Sequence, residues 1–129
     1  MPWKDSTNNV AAMIRLKRVY EPPADDDGYR VLVERLWPRG VSKERAHVDL
    51  WLKDAGASQE LRVWFGHDPD KWEEFRMRYF EEIRGRPEVI RELDKILARE
   101  KTVTFLFAAH DEVHNNAEAL KEFMDAHLQ

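Results

Sequence analysis

The chain has 129 residues, 43% hydrophobic and 36% charged, with no cysteine and a formal net charge of −4. This composition fits a globular domain over 1–129 and excludes disulfides, thiolate catalysis, cysteine-ligated zinc and iron–sulfur clusters. The acidic balance disfavours a generally basic nucleic-acid coat, no apolar run approaches the roughly 20 residues of a membrane span, and MPWKDSTNNV has no apolar signal core. A cytoplasmic protein with no membrane partner is therefore expected.

Residues 1–10 are polar and read as a loose terminus. Residues 13–20 alternate, Ile14 and Leu16 against Arg15 and Lys17, which predicts a strand with one solvated side. Residues 21–28, EPPADDDG, are a breaker cluster. Asp25-Asp26-Asp27-Gly28 lacks the spaced ligands and distal Glu of an EF-hand and reads as a solvated turn. Residues 30–36 hold a β-branched apolar patch that ends at Trp37-Pro38-Arg39-Gly40, where Pro and Gly stop regular structure. Ser42 is placed to cap a short helical turn, and 48–52 read as a short strand.

The second half is more regular. Ser58 is positioned to cap a helix that runs through Trp64 and Phe65 and stops at Gly66. Asp68-Pro69 is a helix start, and Trp72, Phe75, Tyr79, Phe80 and Ile83 follow at helical spacing up to Gly85. Pro87 restarts a helix that turns Val89, Ile90, Leu93, Ile96 and Leu97 to one face. Residues 102–109, TVTFLFAA, are almost continuously apolar, as in a parallel strand buried on both faces. A last helix from about Asn116 to His127 turns Ala117, Leu120, Phe123, Met124 and Leu128 inward. This order predicts an α/β fold: a small, largely parallel sheet of about four strands, covered by helices in three layers.

Ligands of open parallel sheets gather beyond the carboxyl ends of the strands, and two such ends are polar here. At the first, Arg35, Arg39 and Lys43 lie four residues apart around the Trp37-Pro38 turn. Arginine forks bind carboxylate or phosphate in a bidentate way. In the plain structural alternative, Arg35 pairs with Glu34 or Asp49. The second end is His110-Asp111-Glu112-Val113-His114-Asn115-Asn116. Its His pair has i,i+4 spacing, but Asn115 with Glu118 fits a helix capping box and Asp111 can also cap, so no metal site is assigned. The aromatic stripe from Trp64 to Tyr79 reads as core, and His67 precedes a helix start with a view to a pocket. The chain has no Walker loop, no GxGxxG, no GxSxG and no HExxH.

Four ordered motifs resemble the DUF488 family, in its YeaO-like branch. They are Arg30-Val31-Leu32-Val33-Glu34-Arg35-Leu36-Trp37-Pro38-Arg39-Gly40, Leu50-Trp51-Leu52-Lys53-Asp54, Trp64-Phe65-Gly66-His67-Asp68-Pro69 and Asp111-Glu112-Val113-His114-Asn115-Asn116. The resemblance runs from Ile14 into the last helix. It implies a small α/β fold and supplies no established activity. It also implies that Arg35, Arg39, Asp111, His114 and Asn115 converge. The position of His110 is Lys or Arg in many relatives, which argues further against a metal.

The first functional expectation is an enzyme for a small phosphate- or nucleotide-containing anion, with hydrolysis as the reaction class. Arg35, Trp37, Arg39, Lys43, Lys53, His67, Asn115 and Asn116 would form the ligand site. Asp111 and His114 would exchange protons. The second is a module that binds an anionic ligand, a nucleic-acid end or a protein partner without chemistry. Nucleic acid is the less favoured of these, because it demands a segregated basic face. The sequence assigns no cofactor and no oligomeric state.

Overall fold

A computed structural model describes residues 12–129; the expectation of a loose terminus at 1–10 lies outside these residues. Four strands form one sheet: β1 (Met13–Arg18), β2 (Tyr29–Leu32), β3 (Leu50–Trp51) and β4 (Thr102–Phe107). Five α-helices accompany them among the described residues: α1 (Lys43–Ala46), α2 (Gln59–Phe65), α3 (Trp72–Arg84), α4 (Pro87–Arg99) and α5 (Asn116–His127). The sheet order is β1-β4-β2-β3, and every pairing is parallel. No helix among the described residues is long and apolar enough to cross a membrane.

Period-two alternation sorts the central strands between two covers. Val31, Val33, Val103, Phe105 and Phe107 face the main core, where Leu61, Phe75, Tyr79, Leu93, Ile96 and Leu120 from α2 to α5 pack against them. Leu32 and Leu106 face the other way, onto Val19, Ala46, Trp37, Val41 and Trp51. The sheet is thus the middle of three layers. One cover is a thick helical layer, and the other is thin, built from the segments before and after β2. β4 is almost continuously apolar because both of its faces are covered, as its sequence predicts, and its buried Thr104 hydroxyl donates to the Asp27 carbonyl at 2.6 Å.

Local signals set the helix ends. The Ser42 and Ser58 hydroxyls accept the backbone N–H of Arg45 and Leu61. Asp68 caps a short 3-10 turn, Pro69–Lys71, that feeds α3. Gly66 closes α2 in the left-handed conformation. Leu128, expected to point inward, is 37% exposed just beyond the end of α5.

Two expectations change. The first strand-end segment leaves the sheet earlier than the apolar patch implies. Val33 N–H still reaches the Leu106 carbonyl at 3.2 Å, but the Glu34 carbonyl accepts from Trp51 Nε1 at 2.7 Å and residues 34–36 turn away. The second concerns Asp25-Asp26-Asp27-Gly28. Asp25 and Asp26 are exposed, as a solvated turn requires, but Asp27 is only 1% exposed. Its carboxylate takes Lys17 Nζ at 3.1 Å and the Arg30 guanidinium. Hydrogen bonds from Ala24 N–H, Lys17 and Arg30 hold its pKa below the usual value even though burial opposes this. Gly28 follows at φ +65°, where an added Cβ would stand 2.2 Å from the Thr102 carbonyl oxygen, so only glycine fits the approach to β4.

Arg30 is itself 4% exposed. Besides Asp27 it donates to the Ala46 carbonyl at 2.7 Å and the His47 carbonyl at 3.0 Å, and its backbone N–H donates to Asp49 at 2.8 Å. Removing one partner of a buried ion pair costs about 3–5 kcal/mol. Arg30→Ala is expected to fall near the lower figure, because Lys17 still neutralises Asp27. Urea unfolding of the variant against wild type measures the loss.

Candidate functional site

The two polar strand ends meet in one cleft of about 690 Å³ at the carboxyl edge of the sheet, within the ~300–1,000 Å³ range of small-molecule sites. One wall is the turn after β2. Trp37 Nε1 donates to the Val41 carbonyl at 2.6 Å, and its ring meets Trp51 edge-on at 5.3 Å. This fixes the turn on the thin side of the sheet and presents Arg35 and Arg39 to the cleft. Arg35 approaches the loop before α2: Nε donates to the Gly56 carbonyl at 3.1 Å and Nη1 lies 3.4 Å from Asp54. Asp54 is therefore its partner, not Glu34 or Asp49. A Cβ on residue 56 would stand 2.6 Å from the Arg35 backbone nitrogen, so glycine there permits the contact.

The opposite wall follows β4. Asp111 caps its own turn: one carboxylate oxygen accepts the N–H groups of Val113 and His114 at 2.9 Å, and the other sits 2.8 Å from His114 Nδ1. The two backbone donors, His114 first, depress the Asp111 pKa to about 2. The His114 ring rests edge-on against Trp72 at 5.4 Å. Asn115 caps α5 by accepting Glu118 N–H and donates to the Asp111 carbonyl, both at 2.9 Å. Asn116 binds the walls together. Its oxygen accepts Ala57 N–H at 2.6 Å, and its amide donates to the Val33 carbonyl at 2.9 Å.

Of the residues singled out in the sequence, Arg35, Trp37, Arg39, His67, Asp111, His114, Asn115 and Asn116 line the cleft. Lys43 and Lys53 do not. Lys43 is the exposed first residue of α1, and the Lys53 ammonium stands 4.3 Å over the Trp51 ring. The four cations therefore do not all share this cleft: Arg35 and Arg39 line it, and Lys43 and Lys53 lie outside it. Asp111 is engaged by its own turn, and its second oxygen orients the His114 ring through Nδ1. His67 is exposed at the rim with φ 58°. Among the described residues, no three His, Asp or Glu side chains converge as a metal-ligand set.

Two charged lining residues were not singled out as site residues from the sequence, Glu34 and Arg62. Arg62 projects from α2, with Nε donating to the Ala57 carbonyl at 3.3 Å and no partner for its terminal nitrogens among the described residues. Glu34 stands at the end of β2, and one of its oxygens accepts Ala108 N–H at 3.3 Å. Desolvation pushes its pKa up to about 7, against the smaller opposing pulls of that hydrogen bond and of the Arg62 charge. The available sequence signal was a carboxylate beside an arginine at a strand end, which is as common in surface ion pairs.

The raised Glu34 pKa makes stability depend on pH. Between its ordinary value of 4.5 and about 7 the folded chain holds more protons at Glu34 than the unfolded chain does. Stability from this group is therefore lost as pH rises through that window. Glu34→Gln removes this component, so the variant gains on wild type from about pH 5 to about pH 7.5. Urea midpoints of both proteins at the two pH values measure the difference, from which the five histidines cancel.

Residues 13–129 match the family model described as the inactive DUF488-N3 subclade. An uncharacterized protein of Mycobacterium tuberculosis (strain ATCC 25618 / H37Rv) is 38% identical over 112 residues, covering 87% of this chain and 93% of its own. The uncharacterized protein YeaO of Escherichia coli (strain K12) is 36% identical over 111 residues, covering 86% and 96%. No solved structure matches the chain. The chain belongs to the DUF488 family, among its YeaO-like members.

Proposed function

We propose that this protein binds a small anionic ligand, of the phosphate- or nucleotide-containing class, in the cleft at the carboxyl edge of its sheet, and releases it unchanged. The observation that carries this reading is the convergence of Arg35, Arg39 and Arg62 on one concave site backed by Phe65 and Phe75. The guanidinium of Arg39 and the terminal nitrogens of Arg62 have no acceptor among the described residues, which suits charge-assisted binding of an anion. Two facts support binding without turnover. The matching family model describes an inactive subclade, and Asp111 is committed to its turn. One observation favours hydrolytic chemistry instead: Glu34, with a pKa near 7, faces the same cleft as the Asp111–His114 pair.

Thermal unfolding with inorganic phosphate, nucleoside mono- and diphosphates and nucleosides tests the reading. A ligand that binds only the native state stabilises it by about 2.7 kcal/mol at one hundred times Kd. A phosphate-containing compound is expected to raise Tm. Arg62→Ala should weaken it by about 1.5–3 kcal/mol, or roughly ten- to a hundredfold in Kd. The recovered ligand should be intact after long incubation. Equal shifts in wild type and Arg62→Ala overturn the site, and product formation moves the assignment to an enzyme.

A further inference from the structure

The polar groups of the cleft are unevenly committed. Both Asp111 oxygens are taken by its own turn, one by two backbone N–H groups and the other by His114. The Asn115 and Asn116 amides are spent at both ends on backbone groups. Glu34 differs. One oxygen accepts Ala108 N–H, and among the described residues no donor reaches the other. No buried side-chain oxygen or nitrogen among the described residues lacks a partner, so this free oxygen reaches the solvent of the cleft. It is a side-chain carboxylate oxygen without a donor, in a cleft that also holds the free donors of Arg39 and Arg62.

A ligand that fills the cleft expels the water that now hydrates this oxygen. A stranded buried acceptor costs far more than an ordinary hydrogen bond gains. A purely anionic ligand would do worse, because it would bring a second negative charge beside the first. The arginines therefore call for acceptors on one side of the ligand, and Glu34 calls for a donor on the other.

We propose that the ligand is bifunctional: an anionic group received by the arginines, and an amino or amide N–H donated to the free oxygen of Glu34. This rests on the anion-binding reading above and narrows its ligand class. Ammonium-bearing phosphates, amino-acid-like zwitterions and amide-bearing phosphates fit, and simple phosphate esters do not satisfy the site. Glu34 is then a specificity-determining residue, and the bound ligand itself displaces the water that would compete for the donor.

O-Phosphoethanolamine and ethyl phosphate test this, since they share the phosphate and differ chiefly by the ammonium. Their Kd values are measured by calorimetry at about pH 7.5, where a charge-assisted hydrogen bond of about 1.5–3 kcal/mol corresponds to at least tenfold tighter binding of the amine. In Glu34→Gln the two probes should bind within a few-fold of each other. Should that variant fail to fold, the wild-type ratio read from pH 8 down to pH 5.5 replaces it. The amine's advantage should shrink as Glu34 takes up its proton. Equal binding of both probes by wild type at pH 7.5 overturns the inference and leaves the anion site standing. Ethyl phosphate binding that tightens on acidification with no gain from the amine also overturns it, because a protonated Glu34 would then be the donor. Binding of neither probe overturns the phosphate-site reading, and the inference falls with it.

Discussion

The buried guanidinium of Arg30 is the fixed point of the thin layer. It projects from β2 and gathers the Asp27 turn and the end of α1 around one charge, while the backbone N–H of the same residue holds Asp49, just before β3. Buried ion pairs add little net stability over well-packed apolar side chains. Their geometric demand is strict, because every donor must find its acceptor. Arg30 meets that demand by holding both ends of the excursion from β2 to β3. The turn that carries Trp37 and Arg39 therefore stands on a pinned base, and the first wall of the cleft inherits its position from a residue that does not line it.

The second wall is set by a different device. Asn116 opens α5 and spends its side chain on the backbone of Val33 and Ala57, so the helix after β4, the end of β2 and the loop before α2 are locked together at the cleft floor. Tyr79 reinforces that loop from below. Wholly buried, it donates to the Ala55 carbonyl at 2.6 Å, and burial pushes its phenol pKa up. The chemistry that remains available sits above this floor: three arginines with spare donors and one carboxyl whose proton affinity is tuned by desolvation. Asp111 and Glu34 show how strongly surroundings decide role. Backbone donors hold one well below the usual carboxylate range, and burial raises the other to about 7.

Much of the fold was legible because its signals are local. Ser42, Ser58 and the Asp68-Pro69 pair announce helix starts within three residues of the groups they cap. The nearly continuous apolar run of β4 reports two covered faces without reference to any partner. The site was legible only as two polar strand ends, and their convergence depends on the sheet order. Long-range partners explain the rest. Asp27 looks solvated beside Asp25 and Asp26 until Lys17 and Arg30 close on it from two strands. Arg35 finds Asp54, nineteen residues away, where adjacency favoured Glu34. The raised pKa of Glu34 arises from packing around the end of β4, seventy-four residues further on, and no nearby residue forecasts it. Lys43 and Lys53 continue the spacing and motifs of the basic turn, but the chain has changed direction before it reaches them.

The strand order also bears on how the chain assembles. β1 and β2 are neighbours in sequence and not in space, since β4 lies between them and pairs with both. Consecutive strands usually pair, and here that route is closed. The two early strands leave the ribosome with their inner edges unsatisfied, and the strand that satisfies them ends at Phe107. Loop-closure entropy must be overcome before any of these pairings is rewarded. Until then the exposed edges are open to other chains, and all the helices between β3 and β4 precede in the chain the strand that closes the sheet.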